Sequence, residues 1–155
     1  MFLTPIGLER ITTEIKQLQA DMETTRLAIS AAREKGDLSE NEEFHAAKRK
    51  HNKITDTLLS LSDIKENSQI INPEEIKSEK VQFGAKVTIQ NINTNKETTY
   101  IILDTYESDP NNNIISIHSP LAKAMLNLKI GSFFSVTIYN QLTDFEIIKI
   151  EYKAI

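Results

Sequence analysis

The first half of the chain repeats its apolar residues at alternating spacings of three and four. One such stretch runs from residue 8 to residue 32 and a second from residue 44 to residue 61, and the positions between are mostly polar. This heptad pattern predicts two amphipathic α-helices that pack along one narrow seam. The seam positions are Leu8, Ile11, Ile15, Leu18, Met22, Thr25, Ile29 and Ala32, then Phe44, Ala47, His51, Ile54, Leu58 and Leu61.

A short polar segment joins the two stretches. It places Gly36 where the first helix should stop and Asp37 or Ser39 where the second should begin. Two helices that pack along one apolar seam and are joined by a short connection are expected to form an antiparallel hairpin. Roughly thirty residues per arm, at ~1.5 Å per residue, would make a rod on the order of 45 Å long. A structural spacer or a dimerisation coil would show the same pattern.

The second half changes to a strand-like period of two. The helical pattern ends around Pro73 in a mixed run of Glu and Lys, which predicts a linker over residues 73–80 between a hairpin domain, 1–72, and a second domain, 81–155. Short β-branched and aromatic segments then alternate with Asn- and Pro-rich turns, as in a sheet. These predicted strands cover residues 81–83, 87–89, 99–103, 114–117, 133–139 and 145–152.

One short helix interrupts the predicted strands. Ser119 is a good N-cap and Pro120 fits the first helical position, so residues 121–126 should form one or two helical turns. The predicted fold class is therefore α+β: an N-terminal antiparallel coiled-coil hairpin and a compact C-terminal antiparallel sheet domain with one short helix.

Composition excludes several classes of function. A net charge of -4 and a pI near 5.4 argue against a general duplex DNA binder, which needs surplus Lys and Arg. The chain has no cysteine, which excludes disulfides, thiolate zinc sites and cysteine nucleophiles. We also expect a cytoplasmic protein without a membrane span, because no charged segment precedes an apolar run and no apolar run is long enough.

Two carboxylates stand in the connection between the helices. Asp37 and Glu40 are three residues apart at a predicted helix start, so both should lie on one face at the end of the rod. Such a pair is a partial ligand set for Mg²⁺, which favours oxygen ligands and completes its shell with water and phosphate. Two carboxylates alone would bind the ion weakly. We therefore expect no metal on the isolated protein, and another macromolecule must supply the other ligands and the substrate.

Helix capping is the alternative role for these acidic residues. Asp37 with Glu40, or Ser39 with Glu42, has the spacing of a capping box, in which side chains satisfy the open N–H groups of a helix start. Glu42 and Glu43 would also complement the helix dipole there. The residues by themselves leave both roles open.

Basic residues follow the tip along the second helix. They could hold a single RNA strand by its phosphates, although a solvated helix face with ordinary ion pairs is the alternative. His51 on the seam and the adjacent His45 are typical of packing positions. No phosphate-binding glycine loop, catalytic triad order or metal-spaced histidine cluster is present, so we expect no enzyme that acts unaided. The basic residues are Arg33 and Lys35 on the first arm and Lys48, Arg49, Lys50 and Lys53 on the second.

Four segments resemble one known family. Residues 32–48, AREKGDLSENEEFHAAK, resemble the tip signature of the Gre transcript-cleavage factors, nearer the GreA type than the GreB type. Residues 115–124, ISIHSPLAKA, resemble a second family segment, as do 3–7, LTPIG, and 81–87, VQFGAKV. The matches span nearly the whole chain in the family's order, and they favour the metal role of the acidic pair over capping.

The resemblance implies a fold and a mechanism. The hairpin would enter the secondary channel of a backtracked bacterial RNA polymerase, while an FKBP-like second domain would hold the channel rim. Asp37 and Glu40 match the acidic pair that helps place the second Mg²⁺ and an attacking water in the polymerase's own active site. Two such ions stabilise the attacking and leaving oxygens of phosphodiester hydrolysis. The polymerase would remain the nuclease, and the factor would rescue arrested complexes.

Further roles follow from the same resemblance. Asn41 would support the acidic pair, and the factor would act as a monomer. Basic residues would steer the nascent RNA 3′ end, and the segment around Ser119 would dock on the polymerase. The RNA-steering set is Arg33, Lys48, Arg49, Lys50 and Lys53, and the docking set is His118, Ser119, Pro120 and Leu121.

The second domain departs from the family pattern at several places. His118 stands where Asp or Asn is common, Asn127 and Leu128 replace Gly-Lys, Ser132 replaces an acidic residue, and residues 140–144 replace a Pro-Gly-Gly turn. These changes bear on docking affinity.

Three other functions remain as alternatives: a channel-binding regulator that does not promote cleavage, a prolyl isomerase in the second domain, and a coiled-coil chaperone or spacer.

Overall fold

A computed structural model of the chain describes residues 1–36 and 41–155. These residues form two compact units, Leu8–Ser68 and a second unit made of Met1–Gly7 with Gln69–Ile155. We call them the hairpin unit and the sheet unit. The first residues of the chain thus belong with its second half. The segment predicted as a linker, 73–80, lies in the sheet unit and begins with a 3₁₀ turn over Pro73–Glu75.

The two predicted helices are present. Helix α1 spans Pro5–Arg33 and helix α2 spans Glu42–Asn67. Ile11, Thr25, Ala32 and Ile54 are buried and the other seam positions are half-buried. Buried positions therefore follow the spacing of three and four, as a helix turn of 3.6 residues requires. Neither helix in the described ranges is long and apolar enough to cross a membrane.

The sheet unit contains a five-stranded sheet in the order β5-β4-β3-β7-β6. All neighbours are antiparallel except β4 and β5, which are parallel, so the sheet is mixed where the sequence predicted an antiparallel one. A two-residue parallel pair of β1 and β2 lies outside it. The strands are β1 Phe2–Leu3, β2 Gln69–Ile70, β3 Lys86–Asn91, β4 Glu97–Leu103, β5 Ile114–Ser116, β6 Phe133–Ile138 and β7 Gln141–Glu151.

The connection between β4 and β5 explains their parallel direction. It runs through two 3₁₀ turns, Thr105–Glu107 and Pro110–Asn112, instead of a tight hairpin. Parallel neighbours need such a crossover, whereas a two-residue turn can only produce antiparallel ones. The predicted strand over residues 81–83 was also wrong: Val81 and Phe83 are buried, but Phe83 and Gly84 form a turn.

The short helix and one sheet face enclose the core. Helix α3 spans Pro120–Met125, as predicted, and contributes Ala122 and Met125, both fully buried. Burying each large apolar side chain contributes about 1.5–3 kcal/mol, so this cluster is the main stabilising feature of the sheet unit. The remaining members of the cluster are Val81, Ala85, Val87, Ile89, Ile102, Phe134, Val136, Phe145 and Ile147.

Asparagine and tyrosine occupy the turns at which the sequence departs from the family's glycine-containing segments. Asn127 follows α3 with φ 64, a left-handed conformation that asparagine adopts more readily than most residues. Tyr139 and Asn140, at φ 48 and 63, form the turn between β6 and β7. The hairpin therefore turns at residues 139–140, and β7 already begins at Gln141.

Two buried carboxylates anchor the first residues of the chain within the sheet unit. Asp104, 1 % exposed, accepts the N–H of Phe2 at 2.8 Å. Glu107, 7 % exposed, accepts the N–H of Thr4 at 2.8 Å and also its hydroxyl proton. The Thr4 hydroxyl oxygen in turn accepts the N–H of Gly7 at 2.9 Å and so caps the start of α1.

We expect Gly7→Ala to destabilise the sheet unit by about 1–3 kcal/mol. An added Cβ would lie 2.2 Å from the Glu107 carboxyl carbon. That carboxylate can move away only by breaking its bonds to Thr4, because it is buried and held at both oxygens. Thermal unfolding of the two proteins measures the difference. Equal unfolding temperatures would show that the Thr4–Glu107 bonds are dispensable.

Tyr152 ties the end of the segment 73–80 to the last strand. Its hydroxyl donates to the Lys80 carbonyl and accepts the Gln82 N–H at 3.2 Å. Burial raises the pKa of the Tyr152 hydroxyl, and the hydrogen bonds it makes with the Gln82 N–H and the Ser78 side chain partly oppose that rise. The phenol therefore stays protonated as a donor at neutral pH.

Candidate functional site at the end of the hairpin

The two candidate carboxylates lie outside the described residues. Asp37 and Glu40, with Leu38 and Ser39, fall between the described ranges 1–36 and 41–155. The structure does describe the residues on either side, Gly36 and Asn41. Gly36 has φ +122, a conformation that favours glycine, and it follows the end of α1 at Arg33.

Asn41 joins the ends of the two helices. Its side-chain oxygen accepts the N–H of Phe44 at 3.1 Å, which makes Asn41 the N-cap of α2. Its side-chain nitrogen donates to the carbonyl oxygen of Ala32 at 2.8 Å, in the last turn of α1. One amide thus satisfies an open N–H group of one helix and bonds a carbonyl oxygen in the last turn of the other, which also accepts the Lys35 N–H at 3.2 Å. It holds the two ends at a fixed separation.

This geometry corrects the predicted start of the second helix. The sequence offered Asp37 or Ser39 as the N-cap, but α2 begins at Glu42 and its cap is Asn41. Asparagine is as good an N-cap as aspartate or serine, and it alone has a side-chain N–H to donate to Ala32. The capping role at the start of α2 is therefore filled by a residue outside the acidic pair.

The aromatic ring of Phe44, beside the tip, contacts two of the predicted RNA-steering cations. The guanidinium carbon of Arg33 lies 5.8 Å from the centroid of the Phe44 ring, and the Lys48 ammonium lies 6.0 Å from it. Cations at this distance are attracted to the ring face by about 0.5–1 kcal/mol at exposed sites. Arg33 and Lys48, from different arms, are thus brought to one side of the hairpin end.

The other basic residues do not join this cluster. Arg49 reaches Glu42 at 3.9 Å, two turns earlier on its own helix face. At 3.6 residues per turn, Lys53 shares that face, which points away from the seam, and Lys50 lies on a third side. Lys35 instead pairs with Glu43 across the two arms at 2.8 Å. This pair is exposed, so its contribution to stability is at most about 1 kcal/mol.

The segment predicted to dock on a partner divides into exposed and structural residues. His118 and Pro120 are exposed, so a partner can reach them. Ser119 caps α3, because its hydroxyl oxygen accepts the N–H of Ala122 at 3.2 Å, and Leu121 packs against the core. His118 and Pro120 are therefore the accessible residues of this segment, whereas Ser119 and Leu121 have structural roles within the fold.

His118 is also held by the fold. Its Nε2 lies 3.3 Å from an oxygen of the buried Asp104, and its backbone N–H donates to the Ser116 hydroxyl at 3.1 Å. Asp104 also accepts the N–H of Thr105 at 2.7 Å. The histidine at position 118 therefore has a specific structural partner, the carboxylate of Asp104.

Sequence reasoning missed three of these features. Phe44 was assigned to the seam, although an aromatic residue flanked by Arg33 and Lys48 in the hairpin geometry could have indicated the cluster. The bond from Asn41 to Ala32 and the burial of Asp104 produce no repeating pattern in the sequence from which they could have been predicted. Among the described residues, no group of three or more His, Asp or Glu side chains could hold a metal ion.

Comparison with known proteins covers nearly the whole chain. A family model described as transcription elongation factor, N-terminal, matches residues 1–70. A second, described as transcription elongation factor, GreA/GreB, C-term, matches residues 63–152. The chain is 40% identical over 151 residues to transcription elongation factor GreA of Helicobacter pylori strain Shi470, covering 96% of this chain and 92% of that protein. It is 37% identical over 155 residues to GreA of Helicobacter hepaticus, with coverage of 99% and 94%.

Solved structures show more distant similarity. The crystal structure of a GreA factor homolog from Thermus thermophilus is 22% identical, with a TM-score of 0.46 and coverage of 97% of this chain and 98% of that one. A GreA/GreB elongation factor from Nitrosomonas europaea is 20% identical, with a TM-score of 0.45 and coverage of 64% and 79%.

Proposed function

Because the chain belongs to the GreA/GreB family of transcription elongation factors, we propose that it stimulates RNA cleavage by a backtracked bacterial RNA polymerase. In this proposal the end of the hairpin enters the secondary channel, and Asp37 and Glu40 act within the polymerase's active site. The polymerase cuts the RNA 3′ end, and this chain supplies ligands without being a nuclease. Arrested complexes then resume synthesis.

The observation that supports this proposal best is the Asn41 clamp. A reaction that depends on donated carboxylates needs their backbone held in one place, since a misplacement of about 1 Å can cost about 100-fold in rate. Asn41 adjoins Glu40 in the sequence and bonds to both helix ends, at 3.1 and 2.8 Å. We assign it the role of positioning the acidic pair.

The acidic pair suits Mg²⁺ in composition. Both donors are carboxylates, and two of them leave coordination positions for the polymerase's own ligands, water and RNA phosphate. When bound, Mg²⁺ would stabilise charge on the oxygens of the phosphodiester that is cut. The contribution of this chain is to present Asp37 and Glu40 together at the end of the hairpin.

The cluster around Phe44 supports a role in holding RNA. Arg33 and Lys48 flank one aromatic ring, and this combination of cation and π surface is typical of single-strand binding. We propose that these two residues contact the RNA 3′ end most directly. Arg49, Lys50 and Lys53, on other sides of α2, would add attraction for phosphate at longer range.

The sheet unit is proposed to dock on the rim of the channel. His118 and Pro120 are its exposed residues at the segment that resembles the family's docking loop. We further propose that the chain acts as a monomer, one per polymerase, in the cytoplasm.

Cleavage of RNA in a defined backtracked complex tests this proposal. With 3′-labelled RNA and Mg²⁺, adding the protein should speed the release of labelled 3′ fragments and let the shortened RNA be extended. Free RNA should remain intact. If the protein binds the complex and only slows synthesis, the chain is a channel-binding regulator, and the cleavage proposal is wrong.

A further inference from the structure

Within the described part of the hairpin, one layer of the seam is polar. Thr25 and His51 occupy seam positions whose neighbours along α1 and α2 are Met22, Ile29 and Ile54. Thr25 is 3 % exposed, and His51 is half-buried. The Thr25 hydroxyl oxygen lies 2.9 Å from Nδ1 of His51. The two polar seam residues therefore face each other across the arms.

The Thr25 hydroxyl has two hydrogen-bond partners within reach. The Thr25 hydroxyl oxygen also lies 2.9 Å from the carbonyl oxygen of Met22, one turn earlier on α1. If the one proton of the hydroxyl goes to this carbonyl, its lone pair can accept an N–H from the Nδ1-protonated tautomer of His51. Thr25 can thus satisfy His51 without losing its bond within α1.

Only one alignment of the two arms makes this bond. A slip by one heptad would move one arm on the order of 10 Å along the other and place Thr25 opposite Phe44 or Leu58. The same slip would place His51 opposite Leu18 or Ala32, which have no polar side-chain atom, so its imidazole would lose its partner in the seam. The apolar seam residues distinguish the native alignment from a slipped one less strongly, because aliphatic side chains can pack in either alignment.

We propose that Thr25 and His51 form a register pin, a polar pair that selects a single alignment of α1 and α2. A buried polar group in an apolar seam is known to specify register in coiled coils at some cost in stability. Under the function proposed above, on which only this consequence depends, the pin sets how far the hairpin end extends. Thr25 and His51 are then positioning residues for cleavage.

Disulfide trapping tests the register directly, because the chain has no cysteine of its own. Met22 and Thr55 are neighbours across the arms, with Met22 Sδ 3.9 Å from Thr55 Oγ1. The pair M22C/T55C therefore reports the native alignment. A slip of one heptad would place Ser62 or Lys48 beside Met22, so M22C/S62C and M22C/K48C report the two slipped alignments.

In the otherwise native chain, only M22C/T55C should oxidise rapidly. Adding T25V and H51L should raise the oxidation rate of at least one slipped pair about tenfold, since the pin no longer penalises that alignment. T25S in the otherwise native chain retains the hydroxyl and should keep the native pattern, and I29V, which shortens an apolar seam residue, should not change it either. Slipped pairs that stay unreactive in the T25V/H51L background would overturn the proposal.

Cleavage by the same variants separates this proposal from the proposed function. T25V/H51L should lower the cleavage rate, and oxidising M22C/T55C in that background should restore it. If slipped pairs form but the native chain stimulates no cleavage, the pin stands and the proposed function fails. If cleavage is normal in the native chain and in T25V/H51L despite a slipped register, the positioning role is wrong.

Discussion

Replacing Asp37 with Asn and Glu40 with Gln together should lower the stimulated cleavage rate on the order of 100-fold or more, with little change in polymerase binding. Both substitutions keep the side chain's size and remove its charge, so the amide oxygens become poor ligands for Mg²⁺. A bound metal ion contributes several kcal/mol to such a transition state, and each 1.36 kcal/mol corresponds to a factor of ten in rate.

The measurement is single-turnover RNA cleavage in a backtracked complex saturated with either protein. Saturation is established first by competition with a labelled native chain, so that a binding defect is not mistaken for a chemical one. The matched control is Glu42→Gln/Glu43→Gln, which removes the same charge at the exposed start of α2. Equal loss in both double variants would mean that general charge, and not the tip pair, matters.

Asn41→Ala should have the second largest effect, lowering cleavage by about 10–100-fold through misplacement of the tip. The substitution removes the cap of α2 and the bond to Ala32 at once. Loss of the cap costs about 0.5–2 kcal/mol, and loss of the second bond leaves the Ala32 carbonyl without that donor. Thermal unfolding and single-turnover cleavage should both report the change.

Asn41→Ser separates the two bonds. Serine is a good N-cap, so α2 should begin normally, but its side chain is too short to reach the Ala32 carbonyl. We therefore expect near-native stability with cleavage close to that of Asn41→Ala. If Asn41→Ser cleaves at the native rate, capping alone explains Asn41, and the clamp between the arms has no functional role.

The hairpin was predictable because its signal is periodic. An α-helix brings every third or fourth residue to one face, so a spacing of three and four states which side chains meet. Ile11, Ala32 and Ile54, chosen from spacing alone, are among the buried residues. Helix α3 was predictable for a local reason, because Ser119 and Pro120 are favoured at the cap and first position.

Contacts between distant residues could not be predicted in this way. The parallel direction of β5 depends on the turns over Thr105–Glu107 and Pro110–Asn112, which have no single sequence signature. The anchoring of Phe2 by Asp104 joins residues 102 positions apart. A buried carboxylate resembles a surface one in sequence, because its burial depends on the hydrogen bonds that the fold supplies.

The candidate site was predictable in its outline and not in its detail. Family resemblance pointed to the tip and to Asn41 as a supporting residue, and the roles of Asp37 and Glu40 stay predictions. The sequence could not show that Asn41 bonds to both helices, since that depends on the alignment of the arms. It also could not separate Arg33 and Lys48, which share Phe44, from Arg49, which pairs with Glu42.

If the tip carboxylates hold a shared Mg²⁺, the Mg²⁺ dependence of cleavage should change when one of them is neutralised. Cleavage rates are measured across a range of Mg²⁺ concentrations in backtracked complexes saturated with the native chain or with Glu40→Gln. With a shared ion, we expect Glu40→Gln to need a higher Mg²⁺ concentration for half-maximal cleavage and to recover part of its rate as Mg²⁺ increases. A reduced rate with an unchanged Mg²⁺ dependence would contradict this expectation.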